Sequence, residues 1–390
     1  MKMVVTLSRV PFPLEKGDKL RAYHQIKSMI DAGHDVHVIC FHFEKVGSYQ
    51  IQALNQIGGN WYFIPLSKLR IPFGVLKGIW SQQPWQVLLF HQRPAHRQFQ
   101  LLVEKIHPDV IYSQMIRTAE YTKNLHEISK TLDYMDALSL GLKKRWQKSH
   151  WTSRWFWRDE FERVSKYEKV ISHYFDHLTI ISQKDAKSIT LPDGKNFEII
   201  SNGIDFDFFT ARQSAHEDTI IFTGNMNYPP NVDAALRLGL QVMPLLWQKL
   251  PHVKLIIAGA EPHRSLQQNL KDSRIEITGW MDDIRKAYER GSVFVAPMSL
   301  GSGMQNKILE ALSMGLPVVC SDIAADAFDE ELKEILFVAE NDNEYVDHII
   351  SLLNPEFQHP HADVQSIIQS KFSWKKATEP LLSLLRASSH

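Results

Sequence analysis

The sequence predicts an α/β protein of two domains, each folded around its own parallel sheet. Three observations carry that prediction. Short runs of β-branched and apolar residues alternate with helical segments along the chain, as strand–helix–strand units require. The pattern changes register near residues 200–208 and starts afresh at "TIIFTGNM" (219–226). At 390 residues the chain also exceeds what one ordinary core holds and suits two.

Taken in order, "MVVTLS" (3–8) reads as a strand, and the loop "RVPFPLEKGD" leads to a helix with Asp18 as its N-cap. After "DAGHD" comes the strand "VHVICF" (36–41). "WYFIPL", "DVIYSQ" and "HLTIIS" follow as strands, and "LDYMDALS" places Asp133 and Asp136 at a strand end. "EIISNGIDFDFF" (198–209) brings a strand, an Asn-Gly turn and the change of register. The second series runs through "VKLIIAG" (253–259), "IEITGW" (275–280), "VFVAP" (293–297) and "PVVCS". Parallel sheets bind ligands at their strand C-terminal ends, so the loops after "TLS", "IFTG", "IIAG", "ITGW" and "VAP" are the places to look.

Forty-four basic and forty-four acidic residues cancel, so no global field points to nucleic acid. The two cysteines, Cys40 and Cys320, end separate strands, which argues against a disulfide framework or zinc cluster and for a reducing cytoplasm. "MKMVVTLSRVPFP" lacks the long apolar core of a signal peptide, and no run of eighteen apolar residues occurs. The 18 histidines form no HExxH or similar ligand spacing, so no metal is expected. "DFD" (205–207) formally matches a DxD metal signature but reads as a turn and linker.

One stretch raises a question of charge. In "GSGMQNKILEALSMGLPVV" (301–319), Met304, Ile308, Ala311 and Leu312 share a helical face, Gly315 suits C′ and Pro317 follows. Lys307 precedes Glu310, an order that opposes the helix dipole and costs a few tenths of a kcal/mol. The face is either simply solvated, or an anion sits at the helix start, where the N–H groups of Gly303, Met304 and Gln305 converge.

"FTGNMNYPPNVDA", "LIIAGAEP", "ITGWMDDI", "APMSLGSGMQNKILEALSMGLPVV" and "SNGIDFDFF", in that combination, resemble the retaining glycosyltransferases of family 4. "RVPFPLEKGDKLRAYH" and "LDYMDALS" resemble a bacterial subgroup associated with exopolysaccharide. The resemblance covers nearly the whole chain and implies the GT-B fold, two Rossmann-like α/β domains facing across a central cleft. It implies an acceptor-side domain at 1–204, a nucleotide-sugar domain at 205–371 and a C-terminal helix, 372–390, returning to the first.

The resemblance also gives the opposed charges a purpose. Glu310 would hold the donor's ribose, while Lys307 and the helix start, Gly303 to Gln305, would face its diphosphate and stabilise the leaving group. The family's first glutamate is replaced by Ser302, which puts sugar identity in doubt. Gly224 and Asn225 fall where the family brings backbone to the phosphates, and Trp280 and Met281 where it holds the base through backbone groups. Trp280 reads equally as a packed loop aromatic. On the acceptor side, Gly17 matches the glycine loop, with Lys16, Lys19 and Arg21 around it. These cations serve either a phosphate or a solvated turn. The family's histidine after the fourth strand is missing from "IYSQMIRTAEY". Arg117 there either stabilises phosphate charge or makes a structural ion pair. Asp133 and Asp136 either orient the acceptor hydroxyl or cap the next segment.

"KKRWQKSHWTSRWFWR" (143–158) holds six Lys/Arg, no acid and four tryptophans. Lys143, Lys144, Arg145, Trp146 and Trp151 suit an anionic membrane surface, although ordinary packing is the alternative and Trp157 continues a core stripe. "LRIPFGVLKGIW" (69–80) would suit the same face.

These expectations add up to a cytoplasmic, peripherally membrane-bound enzyme without cofactor or metal. It would move a sugar from a nucleotide diphosphate donor, with retention, to a glycan or lipid-linked acceptor. A sugar-nucleotide epimerase and an inactive donor-binding scaffold are the rivals. A nicotinamide dehydrogenase is poorer, because no GxGxxG follows the first strand.

Overall fold

The computed structural model describes residues 1–14, 16–210, 218–299, 305–354, 356 and 361–387. The chain divides into two compact units, Met1–Asn202 with Trp374–His390, and Gly203–Ser373.

The first unit is built on seven parallel strands: β1 (Lys2–Leu7), β2 (Asp35–His42), β3 (Asn60–Pro65), β4 (Val110–Gln114), β5 (Ser129–Asp133), β6 (His177–Ile180) and β7 (Phe197–Ile199). Their order is β3-β2-β1-β4-β5-β6-β7, so the winding direction reverses between β1 and β4. Helices cover both faces, and the strands are buried accordingly; Val4, Val5, Ile39 and Ile111 have no exposure. The Trp374–Ala387 helix belongs to this unit. Its Leu381 and Leu385 are buried among β1 and β2 residues, and the Trp374 ring stacks on His24 at 4.7 Å.

Six parallel strands make the second unit: β8 (Thr219–Thr223), β9 (Lys254–Ala258), β10 (Ile275–Gly279), β11 (Val293–Ala296), β12 (Val318–Ser321) and β13 (Phe337–Ala339). Their order is β10-β9-β8-β11-β12-β13, with the reversal between β8 and β11. A single apolar cluster runs through both faces of this sheet.

Two sequence expectations are corrected. The first helix spans Gly17–Asp31 and its N-cap is Lys16, without a side-chain cap. Asp18 lies inside the first turn, where its charge suits the dipole, and its carboxylate takes Arg9 at 2.9 Å. The cancelling charge also conceals a division. The first unit holds 31 Lys/Arg against 20 Asp/Glu, the second 13 against 24, so they carry formal charges of +11 and −11.

Candidate active site

In the second unit, the loops after the neighbouring strands β8 and β9 are brought together at glycines. Gly224 follows β8 with φ 153°, and Gly259 follows β9 with φ 141°. A Cβ on Gly259 would lie 1.8 Å from the Gly224 carbonyl oxygen, so the two loops meet backbone to backbone. A Cβ on Gly224 would lie 2.6 Å from the Asn231 amide and 3.3 Å from Lys307 Nζ. Asn231, buried in the Pro229–Arg237 helix, ties these parts together. Its Nδ2 donates to the Asn225 carbonyl at 2.9 Å, and its Oδ1 accepts from Lys307 Nζ. The ammonium lies 4.8 Å from the Phe222 ring centroid.

Lys307 and Glu310 project from the Asn306–Ser313 helix, whose Ile308, Ala311 and Leu312 are buried. Gly315, at φ 82°, ends it. Gly315 N–H donates to Leu312 and Leu316 N–H to Ala311, the paired bonds of a Schellman motif. Glu310 Oε2 accepts from the Tyr288 hydroxyl at 2.7 Å, and Tyr288 in turn lies 2.7 Å from Thr223 Oγ1. With Tyr288 donating to the carboxylate, Thr223 donates to Tyr288. Burial pushes Lys307 down to about 8, against the opposing charge of Glu310. Burial also raises Glu310, while the Tyr288 hydrogen bond and Lys307 work to lower it. Each group thus offsets part of the cost of burying the other. Gln305 is the helix N-cap; Ser302, Gly303 and Met304 lie outside the described residues. Trp280 is exposed in the loop after β10, and Met281 packs against the core.

The first unit carries a buried charged network at the strand C-terminal edge of its own sheet. Arg21 and Asp133 are both completely buried and paired, Nε to Oδ2 at 2.7 Å. Asp133 also accepts from Tyr112 at 2.7 Å and Thr179 at 3.0 Å, while Arg21 donates to the Ile200 carbonyl and Asn202. This network joins β4, β5, β6 and the end of β7 to the first helix, and it places Arg21 and Asp133 beneath the surface that would face a ligand. Asp136 is half-buried, and its desolvation together with the repulsion of Asp185 pushes it up to about 7. Lys16 and Gly17 are exposed, and a Cβ on Gly17 would meet no atom within 4 Å. Arg117 donates through Nε to Gln86 at 2.9 Å and lies 5.5 Å from the Phe90 ring centroid. Sequence reasoning singled out neither Asn231 nor Tyr288. The asparagine in "PPN" at a helix start was the available signal for the first, and nothing distinguishes the second from a core tyrosine.

Residues 217–355 match the family model of glycosyl transferases group 1. The matched stretch falls within the second unit, Gly203–Ser373. A protein of Klebsiella pneumoniae, described as an uncharacterized 44.6 kDa protein in the cps region, is 24% identical across 90% of both chains. Among solved structures, the fold resembles sucrose-phosphate synthase of Thermosynechococcus elongatus, with a TM-score of 0.71, 14% identity and 99% coverage of each chain. It also resembles HepE of Anabaena, solved in complex with UDP and glucose, with a TM-score of 0.67, 14% identity and coverage of 98% and 99%. Both are GT-B glycosyltransferases, and GT-B is the fold of this chain.

The basic, tryptophan-rich segment of the first unit is a helical hairpin and not one helix. Leu138–Lys148 and Trp151–Ile171 meet at a break where His150 caps the second helix. Trp146 stacks on Phe161 at 5.8 Å and Arg145 covers Trp157 at 3.6 Å, so these two serve the hairpin itself. Trp151 and Trp155 project outward, 78% and 70% exposed. The Ile71–Trp80 helix is tied to the same hairpin. Arg163 donates to the carbonyls of Gly78, Ser81 and Gln83, while Trp85 Nε1 donates to Asp159. Leu69, Phe73 and Trp80 there are likewise exposed. Among the described residues no helix is long and apolar enough to cross a membrane.

Proposed function

We propose that the protein is a retaining, metal-independent glycosyltransferase of polysaccharide biosynthesis. It takes the sugar of a nucleotide diphosphate donor and passes it to a glycan or lipid-linked precursor at an anionic membrane surface on the cytoplasmic side. The observation that carries the donor half is the lock at the β8–β11 reversal. Lys307 is held by Asn231 beside glycine backbone, and Glu310 is fixed by Tyr288 three residues along the same helix. A diphosphate beside Lys307 supplies the anion that the helix start favours, and it offsets the cost of burying the ammonium. Glu310, an acceptor-only group when ionised, takes the hydrogen bonds of the ribose hydroxyls. As the sugar leaves, charge grows on the diphosphate and Lys307 is already aimed at it. The cps-region relative supports polysaccharide as the product class.

Calorimetric titration with UDP, GDP, ADP, CMP and dTDP tests this reading. One nucleotide should bind selectively, and Glu310→Ala should weaken it by roughly ten- to a hundredfold, the loss of about 1.5–3 kcal/mol of charge-assisted hydrogen bonding. A folded sample that binds none of the five refutes the donor-site assignment.

A further inference from the structure

The first sheet has its own reversal point, between β1 and β4, and an arginine stands in the loop after each of these strands. The two loops touch, Ser8 Oγ lying 3.6 Å from Met115 Sδ, and beside them Gln114 Nε2 at the end of β4 donates to the Asp18 carbonyl of the first helix at 3.2 Å. Met115 takes a left-handed φ of 66° there, a conformation that costs free energy in a residue with a side chain. Arg9 is satisfied by Asp18 at 2.9 Å. Arg117 is not so placed. Among the described residues its only hydrogen bond is the one to Gln86, and no carboxylate lies within ion-pair distance. Burial and the nearby charge of Arg9 push its guanidinium down to about 10, with Asp18 and Glu160 only partly opposing.

Two neighbouring cations that repel each other, Arg9 half-exposed and paired to Asp18 and Arg117 with no carboxylate in ion-pair reach, leave positive charge uncompensated at this edge. A guanidinium fork with two unused nitrogens matches the oxygens of a phosphate. We infer that Arg9 and Arg117, at the switch point of the first sheet, bind a phosphate or diphosphate group carried by the acceptor, separately from the donor's diphosphate in the second unit. Naming the acceptor as the bearer rests on the glycosyltransferase reading; the anion site does not. The site makes an anionic, diphosphate-headed molecule the class of acceptor this chain selects.

The full chain is titrated with inorganic pyrophosphate and with farnesyl diphosphate, in the absence and presence of a saturating amount of whichever nucleoside diphosphate binds. Pyrophosphate binding should persist with nucleotide present, should fall at least tenfold in both Arg117→Gln and Arg9→Gln, and should be retained in Lys307→Met. Farnesyl diphosphate should bind at least as tightly as pyrophosphate. Nucleotide titration of the arginine variants checks that they fold with the donor site intact. Complete displacement of pyrophosphate by nucleotide would assign the two arginines to the donor and overturn the inference. Undiminished binding in both arginine variants overturns it as well, and a site that accepts pyrophosphate but rejects the lipid diphosphate excludes the proposed acceptor class. A chain that binds no nucleotide sinks the donor reading alone, since the pyrophosphate arm and its two variants are read without it.

Discussion

Asp133 accepts hydrogen bonds from Arg21, Tyr112 and Thr179 with no exposure to water. Removing it strands a fully buried guanidinium, and breaking a buried pair from one side costs about 3–5 kcal/mol. Asp133→Ala should therefore lower stability by that amount in urea denaturation, whereas a ligand-facing aspartate would leave the midpoint nearly unchanged. Lys307 permits a prediction in pH. Its pKa in the free protein is about 8, below that of an unfolded lysine, and a diphosphate placed beside it draws the pKa back up. Nucleotide binding at pH 8.5 should then take up about three-quarters of a proton, and affinity should fall as pH rises beyond 8. Calorimetry in buffers of different ionisation enthalpy reads the proton directly, and Lys307→Met should abolish both effects. Lys307 and Glu310 were visible in the sequence because their order offends the helix dipole. Asn231 and Tyr288 were not, because an asparagine and a tyrosine acquire their roles only through partners 76 and 22 residues away.

At the level of elements, the parallel strands were legible because burial on both faces leaves continuous apolar runs such as "VFVA" and "TIIF". β13 escaped notice, being three residues long and followed by acids. The 143–158 segment defied a single amphipathic stripe for a plain reason: two helices with different inward faces share it. The Asn306–Ser313 helix stood out by its ending. Gly315 holds φ 82° and closes the Schellman bonds that set the helix against β12. Gly315→Ala keeps both bonds but forces a left-handed alanine, which should destabilise the protein by roughly 1–2 kcal/mol. Denaturation would show it as a shifted midpoint with an unchanged slope.

At the scale of the molecule, a net charge of zero divides into +11 and −11. Composition alone could not reveal this, since the division follows the fold and returns Trp374–His390 to the basic unit. The basic unit also bears the exposed apolar side chains Leu69, Phe73, Trp80, Trp151 and Trp155. Segments 68–80 and 143–158 together hold nine Lys/Arg and no acid. Each cation near an anionic leaflet contributes about 1 kcal/mol, and the indoles supply apolar burial at the headgroup level. The acidic unit, by the same rule, gains nothing from such a surface. Cosedimentation with vesicles should therefore show binding to phosphatidylglycerol-rich membranes at least tenfold stronger than to phosphatidylcholine. High salt should remove most of the difference, because these charges are exposed and screened. Replacing Trp151 and Trp155 with glutamate should weaken vesicle binding tenfold or more while nucleotide affinity, assigned by the proposal to the other unit, stays unchanged. Equal partitioning onto neutral and anionic vesicles, or a double variant that binds as well as the parent, would reduce these tryptophans to ordinary surface residues.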